Sequence, residues 1–190
     1  MGAALAAAVL SAGHEAVVVS GPVAIEYPAA ATVVSVVSTQ EMLDACRRVF
    51  AGCDGLIAAA APCDFRPIAV AEHKIKKSGG ELVLRLEETP DILATLGASK
   101  RDDQWLVGFA LETEDGRARA AEKIRRKRCN LIVLNGPAAM HGEQTAVEVL
   151  DRHGAVVAAF AGGKQQVAAQ LIAMILAFPG VGQCSASFLA

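Results

Sequence analysis

A three-layer α/β domain, Rossmann-like and doubly wound around a mainly parallel sheet, is the fold this 190-residue sequence predicts. Three observations carry that expectation. Short apolar runs alternate with longer helical patterns, the signature of strands joined by helical crossovers. Hydrophobic residues make up 53% of the chain and aromatics only 4%, so the core must be built from Ala, Val, Leu and Ile, as in a parallel sheet covered on both faces. Neither an internal repeat nor a separating linker is present, and the length suits one domain. We expect that domain to cover residues 1–178, with residues 179–190 as a loose tail.

The elements follow in order. Residues 1–12 read as a helix; the first Lys or Arg is Arg47, so the stretch lacks the basic start of a secretory signal. Residues 16–20 and 32–37 are β-branched strands, separated by a loop punctuated by Pro22 and Pro28. Ser38 with Glu41 three residues on is a capping box, opening a helix whose apolar stripe is Met42, Leu43, Cys46, Val49 and Phe50. Residues 55–60 form a buried strand and residues 61–72 a loop. Residues 73–77 and 81–87 flank Ser78-Gly79-Gly80, predicting a protruding hairpin with Leu82, Leu84 and Leu86 on one apolar face. Thr89 is the expected N-cap of the next helix, with Pro90 in its first position. Residues 105–110 are a strand, 115–128 a basic-ended helix and 130–135 a strand. Residues 146–150 and 155–160 form a terminal antiparallel pair, and a last helix covers 164–178.

The opening helix is unusual. Doubly wound domains ordinarily begin with a central strand and a Gly-rich turn before the helix. Either one central strand is missing, leaving its two neighbours with unpaired edges, or the fold simply starts with a helix; the pattern alone leaves both open.

Composition narrows the function. With 18 Lys+Arg against 20 Asp+Glu the net charge is −2, which argues against a nucleic-acid binder. No apolar stretch reaches the roughly 18 residues a membrane span needs. The five cysteines, Cys46, Cys53, Cys63, Cys129 and Cys184, have neither metal nor redox spacing and read as small hydrophobes in a reducing cytoplasm. Walker loop, nucleophile elbow and GxGxxG are all absent, which disfavours an NAD(P) oxidoreductase or a hydrolase.

Four features remain as candidates. Lys74, Lys76 and Lys77 could clamp a polyphosphate, or solvate an edge strand. Asp64, beyond the end of a strand, could hold Mg²⁺ or a ribose hydroxyl, or form an Asx-turn. Gly108 would let the backbone approach a base, or sit in a turn that Thr113 caps. Lys123 and Lys127 share a helix face toward a nucleotide, or serve the helix dipole together with Arg125, Arg126 and Arg128.

Taken in order, the segments Met1-Gly2, Ser20-Gly21-Pro22, Ala59-Ala60-Ala61-Pro62-Cys63-Asp64-Phe65-Arg66-Pro67, Lys74-Ile75-Lys76-Lys77, Pro90-Asp91-Ile92-Leu93, Gly108-Phe109-Ala110-Leu111-Glu112-Thr113 and Leu131-Ile132-Val133-Leu134-Asn135 resemble one family. It is the bacterial CTP-dependent phosphopantothenoylcysteine synthetase, or phosphopantothenate–cysteine ligase, over about residues 1–176. The resemblance implies coenzyme A biosynthesis: CTP activates the carboxylate of 4′-phosphopantothenate as an acyl-cytidylate with loss of pyrophosphate, and the amine of cysteine then displaces CMP. It implies Lys74 as catalytic lysine and as a contact of the bound CTP, and Asp64 as ligand of the nucleotide or its Mg²⁺. It further implies a CTP pocket made by Ala58, Ala59, Ala60, Pro90, Asp91, Ile92, Leu93 and Phe109, completed by Lys123 and Lys127. A cytoplasmic homodimer, with the lysine-bearing hairpin near the partner subunit, is expected as well.

Two departures qualify the likeness. The family's Gly-rich turn and its Ser-Asn-x-Ser-Ser-Gly-Lys-Met-Gly stretch are represented only by Met1-Gly2, and Thr89 replaces a common Asn. The missing part carries phosphate-binding groups and an asparagine of the cysteine step. The alternative to an active ligase is therefore a truncated homologue that keeps fold and dimer but catalyses poorly, unstable until about 20–25 upstream residues are restored. The flavin-binding decarboxylase domain often fused ahead has no counterpart here, so no flavin is expected.

Overall fold

In the computed structural model, which describes residues 1–77, 79–111, 116–135, 144–179, 181 and 187–189, the chain opens with helix α1 (Gly2–Ser11) and strand β1 (Glu15–Ser20). Strand β2 (Thr32–Ser35), helix α2 (Thr39–Phe50) and strand β3 (Gly55–Ala58) follow. An arm bearing β4 (Phe65–Pro67) and β5 (Leu86–Glu88) then leads into helix α3 (Ile92–Ser99). After it come β6 (Trp105–Leu111), α4 (Gly116–Lys127) and β7 (Leu131–Asn135). The remainder is β8 (Gln144–Asp151), β9 (Val156–Gly163), α5 (Lys164–Ala177) and β10 (Ser187–Leu189).

One sheet has the order β2-β1-β10-β3-β6-β7-β8-β9, parallel from β2 to β7, with β8 and β9 antiparallel at the edge. Helices cover both faces, because strand residues alternate between them. In β6, Trp105 and Val107 pack with Leu5 and Val9 of α1 and Leu171 of α5. Leu106 and Ala110 pack on the opposite face with Phe50 of α2, Leu96 of α3 and Ile124 of α4. The two apolar clusters are the outer interfaces of the three expected layers.

Local signals place the helices as predicted. Ser38 Oγ accepts a hydrogen bond from the Glu41 amide at 3.2 Å, while Glu41 Oε2 accepts from the Val37 amide at 2.8 Å. The box therefore closes on the residue before the cap. Helix α4 stops at Arg128, whose φ of 53° takes the chain out of helical conformation.

Three expectations are corrected. The hairpin pairs β4 with β5, placing Phe65 opposite Glu88 and Pro67 opposite Leu86. Residues 73–77 carry no strand and belong to the arm's outer part. Its Leu82, Val83, Leu84 and Leu86 are all exposed, so the alternation buries no face within this chain. Secondly, the N-cap of α3 is Asp91 rather than Thr89: Asp91 Oδ1 accepts from the Ala94 amide at 3.0 Å. Thirdly, the expected loose tail contains β10, which lies between β1 and β3 with Ala16 opposite Phe188 and Phe188 opposite Gly55. The neighbours of the supposedly missing strand are thus paired along their lower halves. The described pairing ends at Leu189, beside Val17 and Leu56. Thr113, His141 and Cys184 lie outside the described residues.

Candidate functional site

In a parallel sheet the loops that leave the carboxyl ends of the strands form the natural ligand-binding edge. Here the loop after β3 runs along that edge as Ala59-Ala60-Ala61-Pro62-Cys63-Asp64. It is tied to the start of the next helical segment: the Thr89 hydroxyl donates to the Cys63 carbonyl, and the Thr89 amide donates to the Asp64 carbonyl at 2.9 Å. Thr89 therefore clamps the root of the arm instead of capping a helix, and in doing so holds Asp64 near Asp91.

A cavity of about 440 Å³ opens between this loop, the N-terminus of α3, the end of β6 and one face of α4. Its wall includes Ala58, Ala59, Ala60, Asp64, Pro90, Asp91, Ile92, Leu93, Phe109, Lys123 and Lys127. Residues far apart in sequence thus meet in one space, and the volume lies in the ordinary range for small-molecule sites. Lys74 is not part of that wall; it stands exposed on the arm.

Two close approaches shape the cavity. A methyl group on Gly97 would lie 2.0 Å from the Lys127 carbonyl oxygen, so the bare α-carbon lets α3 pack directly against the end of α4. Gly108 serves a similar purpose: a methyl there would stand 3.0 Å from Leu93 Cδ2 and 3.3 Å from Ile132 Cγ1. Its open side is filled by protein atoms and it lies inside β6, so of the two sequence readings neither the approach to a base nor the turn describes it.

The electrostatics centre on Asp91. Lys127 Nζ lies 3.1 Å from Asp91 Oδ2, and an Arg126 guanidinium nitrogen lies 3.9 Å away. Partial burial works to raise the Asp91 pKa, but the Ala94 amide and Lys127, with Arg126 behind, together hold it below the usual carboxylate range. Deeper in the wall, burial pushes the Cys46 thiol up to about 11. Cys129, behind the site, is pushed up to about 12 by burial, against the pull of Lys127 and Lys100. Neither is an available nucleophile at neutral pH.

A second cavity, of about 500 Å³, adjoins the first and shares Val19, Met42 and residues 59–63 with it. It lies above the point where the β10 pairing ends, between Gly2 and Ala3 of α1, the end of β1, Tyr27 and Ser38. There the Ser20 and Tyr27 hydroxyls are 2.8 Å apart. Neither hydroxyl was expected at a site from the sequence. The Ser20-Gly21-Pro22 turn at a strand's carboxyl end was the available signal; Tyr27, in a proline-flanked loop, offered none.

Among the described residues no group of three His, Cys, Asp or Glu side chains could enclose a metal ion, and no helix is long and apolar enough to cross a membrane.

Comparison with known proteins gives a consistent result. Residues 1–178 match the family described as DNA/pantothenate metabolism flavoprotein C-terminal domain. A cysteine/cysteine sulfinic acid decarboxylase from an unknown prokaryotic organism is 40% identical over 182 residues, covering 93% of this chain and 50% of that protein. The coenzyme A biosynthesis bifunctional protein CoaBC of Bacillus subtilis (strain 168) is 41% identical over 136 residues, covering 71% of this chain and 33% of that protein. The chain thus spans half or less of these two relatives. Among solved structures, the C-terminal domain of a CoaBC protein superposes with a TM-score of 0.76 at 33% identity, covering 92% of this chain and 79% of that one.

Proposed function

The chain belongs to the DNA/pantothenate metabolism flavoprotein C-terminal domain family and is homologous to the C-terminal domain of CoaBC, and from that premise we propose that it is a phosphopantothenate–cysteine ligase that uses CTP. The single observation that supports this most is the cavity at the strand ends, where Asp64, Asp91, Lys123 and Lys127 converge beside the apolar Leu93 and Phe109. A nucleotide needs both: an apolar wall for its base, and cations for its phosphates.

In this reading CTP occupies the first cavity and 4′-phosphopantothenate the second, and the shared wall at residues 59–63 is where they meet. A carboxylate oxygen of phosphopantothenate attacks the α-phosphorus of CTP and the bond to pyrophosphate breaks. The cysteine amine then attacks the acyl carbon, loses a proton, and CMP departs. Negative charge builds on the phosphate oxygens in the first step, and positioned cations stabilise it. Lys123 does so from α4, and Lys74, exposed on the arm, is the catalytic lysine of this reading.

The residues fit Mg²⁺ as an ion carried by the nucleotide. Two carboxylates line the cavity, Asp64 and the Lys127-paired Asp91, and among the described residues no group of three acidic, His or Cys side chains builds an all-protein cage; Mg²⁺ typically takes one or two carboxylates plus substrate phosphates. When bound, it neutralises phosphate charge. The reading places the protein in the cytoplasm, as a homodimer.

The test is a two-stage assay. With CTP and Mg²⁺ present, pyrophosphate release should depend on phosphopantothenate without cysteine; CMP release should then depend on cysteine. CTP should also raise the melting temperature more than ATP or NAD does. Absence of phosphopantothenate-dependent pyrophosphate overturns the ligase assignment. A CTP-specific thermal shift without turnover identifies the impaired homologue.

A further inference from the structure

The second cavity differs in kind from the first. Among the described residues of its wall none carries a charged side chain, and Val19, Val36, Met42 and residues 59–61 make it largely apolar. A phosphate or carboxylate buried there would find no counter-charge. A neutral group with some apolar surface fits it, given a few placed polar partners.

Two hydroxyls in that wall supply such partners, and their protons are ordered. Ser20 is 7% exposed. Its hydroxyl donates to the Gly21 carbonyl at 3.0 Å, and its oxygen lies 2.8 Å from the Tyr27 oxygen. A serine hydroxyl has a single proton to give. With that proton on Gly21, the bond between Ser20 and Tyr27 requires Tyr27 to donate. The relay therefore runs one way, from Tyr27 through Ser20 to Gly21. What Tyr27 has left for a ligand is an oxygen lone pair, so it acts as an acceptor. Both ends are held from behind. The Val36 amide bonds the Ser20 carbonyl at 2.9 Å, and Tyr27 packs against the first apolar cluster.

4′-Phosphopantothenate is charged at its two ends, by a phosphate and a carboxylate. Between them lies an uncharged stretch with a dimethylated carbon, a hydroxyl and an amide N–H, and the last two are donors. We propose that Tyr27 is a specificity-determining residue that accepts a hydrogen bond from this middle stretch, and that Ser20 is the positioning residue that fixes the polarity of the phenol. A ligand with a donor at that point completes the relay, whereas one without it leaves the phenol oxygen unpaired in an apolar wall. This deepens the placement of 4′-phosphopantothenate in the second cavity and rests on it.

The experiment measures by calorimetry the affinity of the chain for three compounds. They are 4′-phosphopantothenate, its analogue with the hydroxyl replaced by hydrogen, and its analogue methylated on the amide nitrogen. Tyr27→Phe should weaken 4′-phosphopantothenate roughly 5-fold, the size of one neutral hydrogen bond. For one of the two analogues the same substitution should cost nothing, and that analogue identifies the donor as hydroxyl or amide. Ser20→Ala should weaken 4′-phosphopantothenate and spare the same analogue. The double variant should bind no more weakly than Tyr27→Phe, because Ser20 acts through the phenol. Additive losses overturn the relay. Equal Tyr27→Phe losses for all three compounds, or no loss for any, overturn the assignment of Tyr27. Circular dichroism checks folding, and should one single variant fail to fold, the other decides by the same comparison of analogues. If the parent does not bind 4′-phosphopantothenate, the substrate reading fails and this inference with it. If the parent binds it and Tyr27→Phe weakens all three compounds alike, this inference alone fails.

Discussion

Gly55 lies flat against the indole of Trp105: a methyl group on its α-carbon would stand 2.0 Å from Trp105 Cε2 and 2.1 Å from Cζ2. The two residues are register partners on adjacent parallel strands. Trp105 is 1% exposed and cannot swing aside. Gly55→Ala should therefore act as an overpacking substitution in the first cluster and destabilise the chain by about 1–3 kcal/mol. Chemical denaturation checks this; an unchanged midpoint would mean the sheet adjusts at that point without cost.

Cys63 offers a probe of the cavities. It is exposed and lines both of them, whereas Cys46, Cys53 and Cys129 are buried. Burial raises the thiol pKa at each of those three positions. A maleimide reagent at neutral pH should label Cys63 well before Cys46, Cys53 or Cys129, and CTP with Mg²⁺ should slow that labelling several-fold. Peptide mass spectrometry reads both. Equal rates with and without CTP would place the nucleotide elsewhere.

Lys74→Ala should abolish phosphopantothenate-dependent pyrophosphate release while leaving the far-UV circular dichroism unchanged, since the side chain is exposed and takes no part in the core. Acyl-cytidylate formation at the parental rate would show that Lys74 is not the catalytic lysine.

The arm carries the clearest apolar surface. Leu82 is 65% exposed, Val83 77% and Leu84 62%, beside exposed Phe65 and Ile75. A second copy covering this surface is the proposed dimer contact. The chain should sediment as a dimer, and Leu84→Glu should shift it to monomer by forcing a charge into the apolar contact. A monomeric parent would refute the interface.

The sequence by itself determined the layers and most of the elements, for a local reason. Strand residues alternate with a period of two, helices with a period near four, and caps such as Ser38 with Glu41 act within a few residues. The runs at Glu15–Ser20, Trp105–Leu111 and Leu131–Asn135 accordingly became strands, and the residues expected at the site from family resemblance mostly meet around one cavity. Only the tertiary structure decided what depends on distant partners. Thr89 was expected to cap a helix, but the Cys63 carbonyl, 26 positions away, claims its hydroxyl. Gly108 reads from the sequence either as a close backbone approach to a ligand or as part of a turn, but it lies within β6 and Leu93 fills its open side. Residues 179–190 show no strand pattern by themselves; Ser187–Leu189 become one because β1 and β3 present unpaired backbone groups that require hydrogen bonds. The ion pair of Asp91 with Lys127 exists because Gly97 lets two helices approach closely. Periodicity along a chain carries no record of such meetings across it.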